Sequence, residues 1–276
     1  MVSPMAEIGL TSATQNALLS LQRTSNLQAD ASRRLSTGQR VERATDDPVS
    51  FFQSKALTDR LSDLRDVKDG IGQALSNVET ALVGTEAIDS VVRQLQGLVS
   101  SVRGGTDEQR AAAADQFDQL RQQITLLAGD SSFQGNNLIS EEPNDLNVRF
   151  NESGSSTTTV EGADTGANGL GIGAASSFNA FASDADIDAA LAELQGATDT
   201  LRSQAASLGS DIALLNTRET FTENISNTIN EGAAKLTEAD LNEEAAKQLA
   251  LSVRGQLGTE ALQIAQENQL GILQLF

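Results

Sequence analysis

The chain of 276 residues contains no cysteine, histidine, tryptophan or tyrosine, and phenylalanine supplies all of its aromatic side chains. Without thiolates and imidazoles, zinc, haem and iron–sulfur sites lose their usual ligands, and Ser–His and Cys–His nucleophiles are excluded. Carboxylates are available, but no motif arranges them for catalysis. We therefore expect no catalytic residues, no metal or cofactor site, and a protein that is not an enzyme.

Positive charge is also scarce, since 19 basic residues stand against 38 acidic ones and the net charge is −19. Such a charge disfavours nucleic acids and anionic membrane surfaces as partners. Residues 1–40 hold four arginines against two acidic residues, and residues 236–276 hold two basic against six acidic residues. The sequence therefore predicts nearly neutral ends on a strongly acidic, well-solvated body.

The sequence shows neither a cleaved secretory signal nor a membrane-spanning segment. The first basic residue is Arg23, and no apolar segment with a cleavage site follows a charged start. No run approaches the roughly 18 apolar residues that span a bilayer. The lack of cysteine fits the cytosol and an exported protein equally well. We expect no membrane partner, and export, where it occurs, by a route that recognises another feature.

Apolar residues spaced three and four apart predict long helices over 48–103 and 184–236, with a shorter helix over 107–128. The first of these would be roughly 80 Å long at 1.5 Å per residue. Lys68 is the main interruption of its stripe, whose expected core residues begin with Leu57, Leu61, Leu64, Ile71, Leu75, Val78 and Leu82. Two long antiparallel helices with a shorter third bury these stripes against one another.

Short polar motifs mark where these helices begin. Asp46–Asp47–Pro48 combines an acidic cap with a proline in the first turn, after an extended connector over 36–47. Thr106 with Gln109 and Ser183 with Asp186 predict capping boxes for the later helices. Gly38 is expected to end the N-terminal helix.

The segment 140–183 has a different composition from the rest of the chain. It holds a predicted strand LNVRF (146–150), the tract SGSSTTTV (153–160) and the glycine-rich run GANGLGIG (166–173). These features predict turns and one or two small hairpins. The glycine-rich run lacks the GK[ST] ending and the strand–loop–helix context of a phosphate loop, so we do not interpret it as a nucleotide site.

Both ends of the chain are predicted to be helices that leave apolar surface uncovered. The first helix, from about Met5 to Leu35, has small and polar residues that bury too little area to offset its ordering entropy. The last, 236–276, begins near the possible caps Thr237 and Asp240 and becomes apolar on more than one face before it stops at Phe276. Something must cover such an end, either a core of its own domain or a partner.

Three stretches resemble bacterial flagellin. They are RLSTGQRVERATDDPVSFFQSKAL (34–57), DQFDQLRQQITLLAGDSSFQGNNLI (115–139) and the C-terminal segment 236–276. Their order is that of the family, and the similarity covers about four-fifths of the chain. The departure is 140–183, which is too short for the large outer domains that many flagellins carry.

The resemblance implies a mainly α fold, a long antiparallel coiled-coil-like bundle with paired terminal helices and a small β-hairpin region in the middle. The domains expected from it are an N-terminal polymerisation helix (1–35), a connector (36–47), rod-domain helices (48–139), a hairpin and loop region in place of outer domains (140–183), a rod-domain return helix (184–235) and a C-terminal polymerisation helix (236–276).

The resemblance also implies a function and partners. The chain would be exported by the flagellar type III pathway and self-assemble into the extracellular filament used for swimming. Its partners would be other subunits, an export chaperone, and cap and hook–filament junction proteins. A hook–filament junction protein and a secreted coiled-coil adhesin are the alternatives. The family's innate-immune receptor contact has a glutamate where this chain has Gln94, so the resemblance gives that contact little support.

Candidate site residues follow from the apolar terminal stripes, the connector and the Ser/Thr tract. Arg40 and Arg43 in the connector either pair with acidic residues of a neighbour or are simply solvated. Ser155, Ser156, Thr157, Thr158 and Thr159 are the candidates for O-glycosylation. The residues assigned to self-assembly are Leu10, Ala17, Leu18, Leu21, Leu27, Leu35, Leu249, Val253, Leu257, Leu262, Ile264, Ile272, Leu275 and Phe276.

Overall fold

The structure, a computed structural model, describes residues 12–273, without the side chains of Ala13 and of residues 269–273. It is mainly α with a small hairpin in the middle, so the predicted fold class is confirmed. The elements in chain order are α1 (Ser12–Thr37), α2 (Pro48–Ser101), α3 (Asp107–Asp130), β1 (Leu146–Arg149), β2 (Thr157–Val160), a 3₁₀ segment (Ala175–Phe181), α4 (Asp184–Thr237) and α5 (Leu241–Leu273).

The chain divides into two compact units. The terminal unit contains the chain up to Thr58 and from Ile229 onward, and the central unit is Asp59–Thr228. The helices α2 and α4 each contribute residues to both units. The finer division into connector, rod and polymerisation segments stays a prediction.

The core of the central unit is built on a seven-residue repeat in α4, the period of a coiled-coil seam. Phe117 and Ile124 of α3 are fully buried in the same core. The repeating α4 side chains are each no more than 1% exposed, and they are Ile187, Leu194, Leu201, Leu208 and Leu215.

On the side of α2 that faces this core, buried residues recur every three and four positions, as predicted. The residues that are buried differ in part from the expected ones. Val67, rather than Lys68, fills the core position there, and Lys68 pairs with Glu223 at 3.1 Å instead. Small residues at Ala74 and Ala81 occupy the next core positions, while Leu75 and Leu82 are only partly buried. The sequence pattern favoured the larger side chains because periodicity alone does not reveal which of two adjacent apolar residues faces inward.

The helix starts form as the sequence predicts. Thr106 and Gln109 make a reciprocal capping box at α3, and Ser183 and Asp186 exchange hydrogen bonds at the start of α4. Between these helices, β1 and β2 form one antiparallel hairpin in which Leu146 lies opposite Val160. The glycine-rich run forms turns.

The 3₁₀ segment contains an unusual left-handed turn. Asn179, Ala180 and Phe181 have φ angles of 48°, 51° and 61°, which are unfavourable for residues with a Cβ atom. The buried guanidinium of Arg110 donates to the Phe181 carbonyl at 2.8 Å and to Asp184 Oδ1 at 2.8 Å. These bonds, with edge-on packing of Phe117 against the ring of Phe181, hold the turn in place.

Candidate assembly surface

Backbone hydrogen bonds of the connector bring the end of α1 to the junction between α4 and α5. Gly38, with φ +70°, closes α1 by donating its N–H to the Arg34 carbonyl at 2.9 Å. The Arg40 N–H then donates to the Thr237 carbonyl at 2.7 Å, and the Ala239 N–H donates to the Gly38 carbonyl at 3.0 Å. The terminal helices therefore emerge from one hydrogen-bonded junction.

The two arginines of the connector have different surroundings. Arg40 Nη2 donates to the Leu236 carbonyl at 2.9 Å, and its Nη1 lies 3.9 Å from Asp47 Oδ2. Arg43 is exposed, and its backbone N–H donates to Asp46 Oδ2 at 3.0 Å. Arg40 is thus engaged within its own chain, whereas the Arg43 side chain is available to solvent or to a neighbour.

Two carboxylates fix the end of the connector and the start of α2. Backbone N–H groups of Arg43 and Glu42 hold the pKa of Asp46 below its ordinary value of 3.8. The hydroxyl and N–H of Ser50 do the same for the pKa of Asp47, which caps α2. Ionised carboxylates are better hydrogen-bond acceptors, so both bonds favour the charged form.

The last helix, α5, begins at Leu241 and not at 236, since Leu236 and Thr237 are the last residues of α4. Of the two candidate caps, Asp240 is the one used, and its Oδ1 accepts from the N–H groups of Asn242 and Glu243. Glu244, in the next turn, is buried and lies 3.4 Å from Arg34 Nη1. It also lies 3.1 Å from Lys247 Nζ, and Glu243 and Glu244 together raise the pKa of Lys247.

The helices α1 and α5 pair antiparallel, as the contacts of Arg34 with Glu244 and of Leu21 with Gly258 require. Their least exposed residues recur every three and four positions, which is the seam of an antiparallel coiled coil. We call these residues the seam. On α1 they are Thr14, Ala17, Leu21, Thr24, Gln28, Ala31 and Leu35, and on α5 they are Glu244, Gln248, Leu251, Gly255, Gly258, Leu262 and Ala265.

The seam has an unusual composition for a coiled coil. Only four of its fourteen residues are leucines, and the others are small, polar or charged. The helices approach closely at Gly258, where an added Cβ atom would lie 3.3 Å from the Leu21 side chain. Apolar burial supplies most of the stability of a helix pair. Because this seam buries few large apolar side chains, it contributes little stability to the pairing of α1 with α5.

Larger apolar residues lie outside the seam and are exposed to solvent. Those on α5 are between 47% and 69% exposed, and those on α1 between 43% and 52%. We call this set the outer apolar face, and it comprises Leu18, Leu19 and Leu27 of α1 and Leu241, Leu249, Val253, Leu257 and Ile264 of α5. An uncovered set of this size marks an interaction surface.

A groove of about 410 Å³ lies along the helix pair. Its apolar lining comes from Leu27, Ala31, Ala250 and Leu251, and charged residues such as Arg34 stand at its rim. The groove is therefore shaped for apolar side chains and flanked by charges of both signs.

The residues assigned to self-assembly from the sequence fall into three groups. Ala17, Leu21, Leu35 and Leu262 lie in the seam, partly buried. Leu18, Leu27, Leu249, Val253, Leu257 and Ile264 belong to the outer apolar face. Leu10, Leu275 and Phe276, with the side chain of Ile272, lie outside the described part of the chain.

Sequence reasoning left Leu19 and Leu241 out of that set, although both are at least half exposed. Leu241 belongs to the four-residue stripe that continues through Leu249, which was the available signal. Leu19 follows Leu18 directly, and periodicity does not separate two adjacent leucines.

The Ser/Thr tract lies on the hairpin. Ser155, Thr157 and Thr159 are exposed, whereas Ser156 and Thr158 are half-buried. The Thr159 hydroxyl donates to Asn147 across the strands at 2.8 Å, and the Asn151 amide donates to Ser155 Oγ at 2.7 Å. Within the described residues, no cluster of three or more metal-ligating side chains occurs, and no helix is long and apolar enough to cross a membrane.

A helical structural subunit, with paired terminal helices that expose apolar residues, is the class of protein that this fold and surface define. A family model of the bacterial flagellin N-terminal helical region matches residues 8–143. The chain belongs to the bacterial flagellin family. It is a short chain of 276 residues, in which 140–183 holds one hairpin, turns and the 3₁₀ segment.

Named flagellins match over nearly the full length. Flagellin FljM of Caulobacter vibrioides is 29% identical over 266 residues, covering 94% of this chain and 96% of its own. A flagellin of Brucella melitensis is 28% identical over 280 residues, covering 99% of both. The crystal structure of Bacillus cereus flagellin superposes with a TM-score of 0.46 at 17% identity, covering 55% of this chain and 88% of that one. These relatives give no support to a junction protein or an adhesin.

Proposed function

We propose that this structural subunit of the bacterial flagellar filament polymerises by covering the outer apolar face of α1 and α5 with the helices of neighbouring copies. The observation that carries the proposal is the inverted arrangement of the helix pair. Small and polar residues fill the seam, while the larger apolar residues Leu249, Val253 and Leu257 are left exposed. Covering the exposed half of each such side chain stabilises the polymer by about 1 kcal/mol.

The groove along the helix pair supplies a receiving surface for these residues. Its lining by Leu27, Ala31 and Leu251 suits apolar side chains from a neighbouring copy. A protruding stripe and a groove on one subunit give a heterologous contact, which continues from copy to copy as an open helical polymer. Arg43 is then placed to meet an acidic residue of a neighbour, because its side chain is exposed at the connector.

Folding and association are coupled in this scheme. The terminal helices gain full order only when neighbours cover them, as the weak seam supplies too little stability alone. The net charge of −19 keeps the outer surface solvated and limits lateral bundling of filaments. The role is structural and requires no catalytic group.

The finer partners and the location follow from family membership. The subunit leaves the cell through the flagellar export route and resides in the extracellular filament. An export chaperone masks the apolar C-terminal helix before assembly, and cap and hook–filament junction proteins contact the ends of the polymer. Ser155, Thr157 and Thr159 are exposed on the hairpin and are the better-placed positions for O-glycans.

The test compares filament growth of the purified wild-type chain with that of two variants. One lacks residues 261–276, and the other carries Leu249→Gln, Val253→Gln and Leu257→Gln. We expect wild-type filaments in negative-stain micrographs and none from either variant, while circular dichroism shows that the central unit stays folded. Arg254→Gln, Glu260→Gln and Glu267→Gln, a triple variant of exposed polar residues on the same helix, should still polymerise. Filaments from the truncated chain would contradict the proposal.

A further inference from the structure

The start of α2 presents an apolar ridge to solvent. Val49 is 65% exposed and Phe52 is 62% exposed, and the three-residue spacing places them on the same side of the helix. The Phe52 ring packs edge-on against Phe51 with centroids 5.5 Å apart. The Asp47 cap fixes the first turn beneath them. We call Val49 and Phe52 the ridge.

The same region of the terminal unit contains a concavity of about 370 Å³, which we call the connector pocket. Val41, Phe51, Ala233 and Ala234 supply its apolar lining, and polar residues of the connector and α4 surround them. Val41 and Ala233 are themselves buried, so the floor is fixed by packing. A pocket of this volume accommodates a large apolar side chain.

The ridge and the connector pocket lie on different sides of α2. At 100° per residue, the α2 residues that line the pocket are centred roughly 140° from the ridge residues, and they are Phe51, Ser54, Lys55 and Thr58. A ridge on this side of the helix does not enter the pocket of its own chain. It is free to enter the pocket of another molecule.

We propose that the ridge of one copy inserts into the connector pocket of the next copy. The inference rests on the proposed filament function, which supplies the second copy as the occupant. Each subunit offers one ridge and one pocket on separate faces, as heterologous growth requires. The pocket also adjoins the assembly surface, because its rim residue Glu238 lies three residues before Leu241, where the outer apolar face of α5 begins.

The absence of cysteine makes thiol cross-linking a direct test. Two single-cysteine chains, Phe52→Cys and Ala234→Cys, are given tags of different size, mixed, polymerised and oxidised. We expect a disulfide-linked heterodimer of the two chains. The control replaces Ala234→Cys with Ser36→Cys, an exposed position of α1 outside the pocket, and should give no such product.

The outcomes separate this inference from the proposed function. Filaments that form without the Phe52→Cys/Ala234→Cys product, or with only Phe52→Cys homodimers, overturn the ridge and pocket contact but leave the filament function intact. Failure of the wild-type chain to polymerise overturns the proposed function itself.

A second measurement uses no cysteine. Phe52→Asp should raise the critical concentration for polymerisation about tenfold or more, whereas Gln53→Asp, at the next exposed position, should change it little. Equal effects of the two variants would count against the ridge.

Discussion

Glycine residues decide how closely other segments approach α2. At Gly84 an added Cβ atom would lie 2.2 Å from Ser131 Oγ and 2.7 Å from Ile139 Cδ1, so the turn after α3 packs directly on the helix backbone. At Gly97, in the same helix, nothing lies within 4 Å of that position. The two glycines have the same helical backbone and opposite packing demands.

Gly84→Ala should therefore destabilise the protein by about 1–3 kcal/mol, because overpacking forces Ser131 and Ile139 to move. Gly97→Ala should stabilise it by about 0.5–1 kcal/mol, because alanine is the better helix former. Urea unfolding of both variants measures the difference. A Gly84→Ala protein as stable as Gly97→Ala would show that the close approach of the turn is incorrect.

In the left-handed turn, a change from alanine to glycine should stabilise the protein, unlike in a helix. Ala180 is exposed with φ 51°, so Ala180→Gly loses no packing and relieves backbone strain. We expect it to stabilise the protein by about 1 kcal/mol. Ala112→Gly, at an exposed position inside α3, is the matched control and should destabilise by about 1 kcal/mol. If thermal denaturation shows both substitutions to be destabilising, the turn is not left-handed in solution.

At the scale of elements, the connector is held by carboxylates whose titration has a predictable direction. The folded-state pKa values of Asp46 and Asp47 are lowered, so their stabilising contribution is complete above the ordinary value of 3.8. It is lost as the pH falls through the lowered values, where protonation removes the charged acceptors.

The variant Asp46→Asn with Asp47→Asn lacks this titration. Its urea midpoint should therefore fall less than that of the wild-type chain between about pH 5 and pH 3. The paired variant Asp63→Asn with Asp66→Asn, at exposed positions of α2 outside the connector, is the control for the same change in net charge. Identical curves for the connector variant and the wild type would refute the role of these two carboxylates.

Much of the element structure was predictable from local sequence. The Asp46–Asp47–Pro48 restart, the Thr106 and Gln109 box and the end of α1 at Gly38 depend on nearby residues, and the structure places them as expected. The break between α4 and α5 before Leu241 was harder to predict, because Thr237 and Asp240 are equally good caps in the sequence. The connector distinguishes them, since its backbone donates hydrogen bonds to the Thr237 carbonyl at the end of α4.

The faces of the terminal helices were not predictable in the same way. The four-residue stripe through Leu249, Val253 and Leu257 is the most apolar on α5, and periodicity alone would place it against the partner helix. The structure instead places Gly258 against Leu21 of α1, because a residue without a side chain allows the closer approach. The left-handed turn also left no local signal, because it depends on Arg110, about 70 residues earlier in the chain.

At the scale of the whole molecule, the proposed assembly rests on a difference between the cores of the two units. The central unit has a regular apolar core in α2, α3 and α4. The terminal unit has no comparable core among its described residues. We therefore expect the central unit to be stable by itself and the stability of the terminal helices to depend on neighbouring copies.

Hydrogen exchange followed by mass spectrometry, on dilute monomer and on assembled filament, tests this dependence most directly. We predict that amides of α1 and α5 exchange quickly in the monomer, while those around Ile187–Leu215 are protected, and that both sets are protected in the filament. Equal protection of α1 and α5 in monomer and filament would contradict the account, because the terminal helices would then need no neighbour.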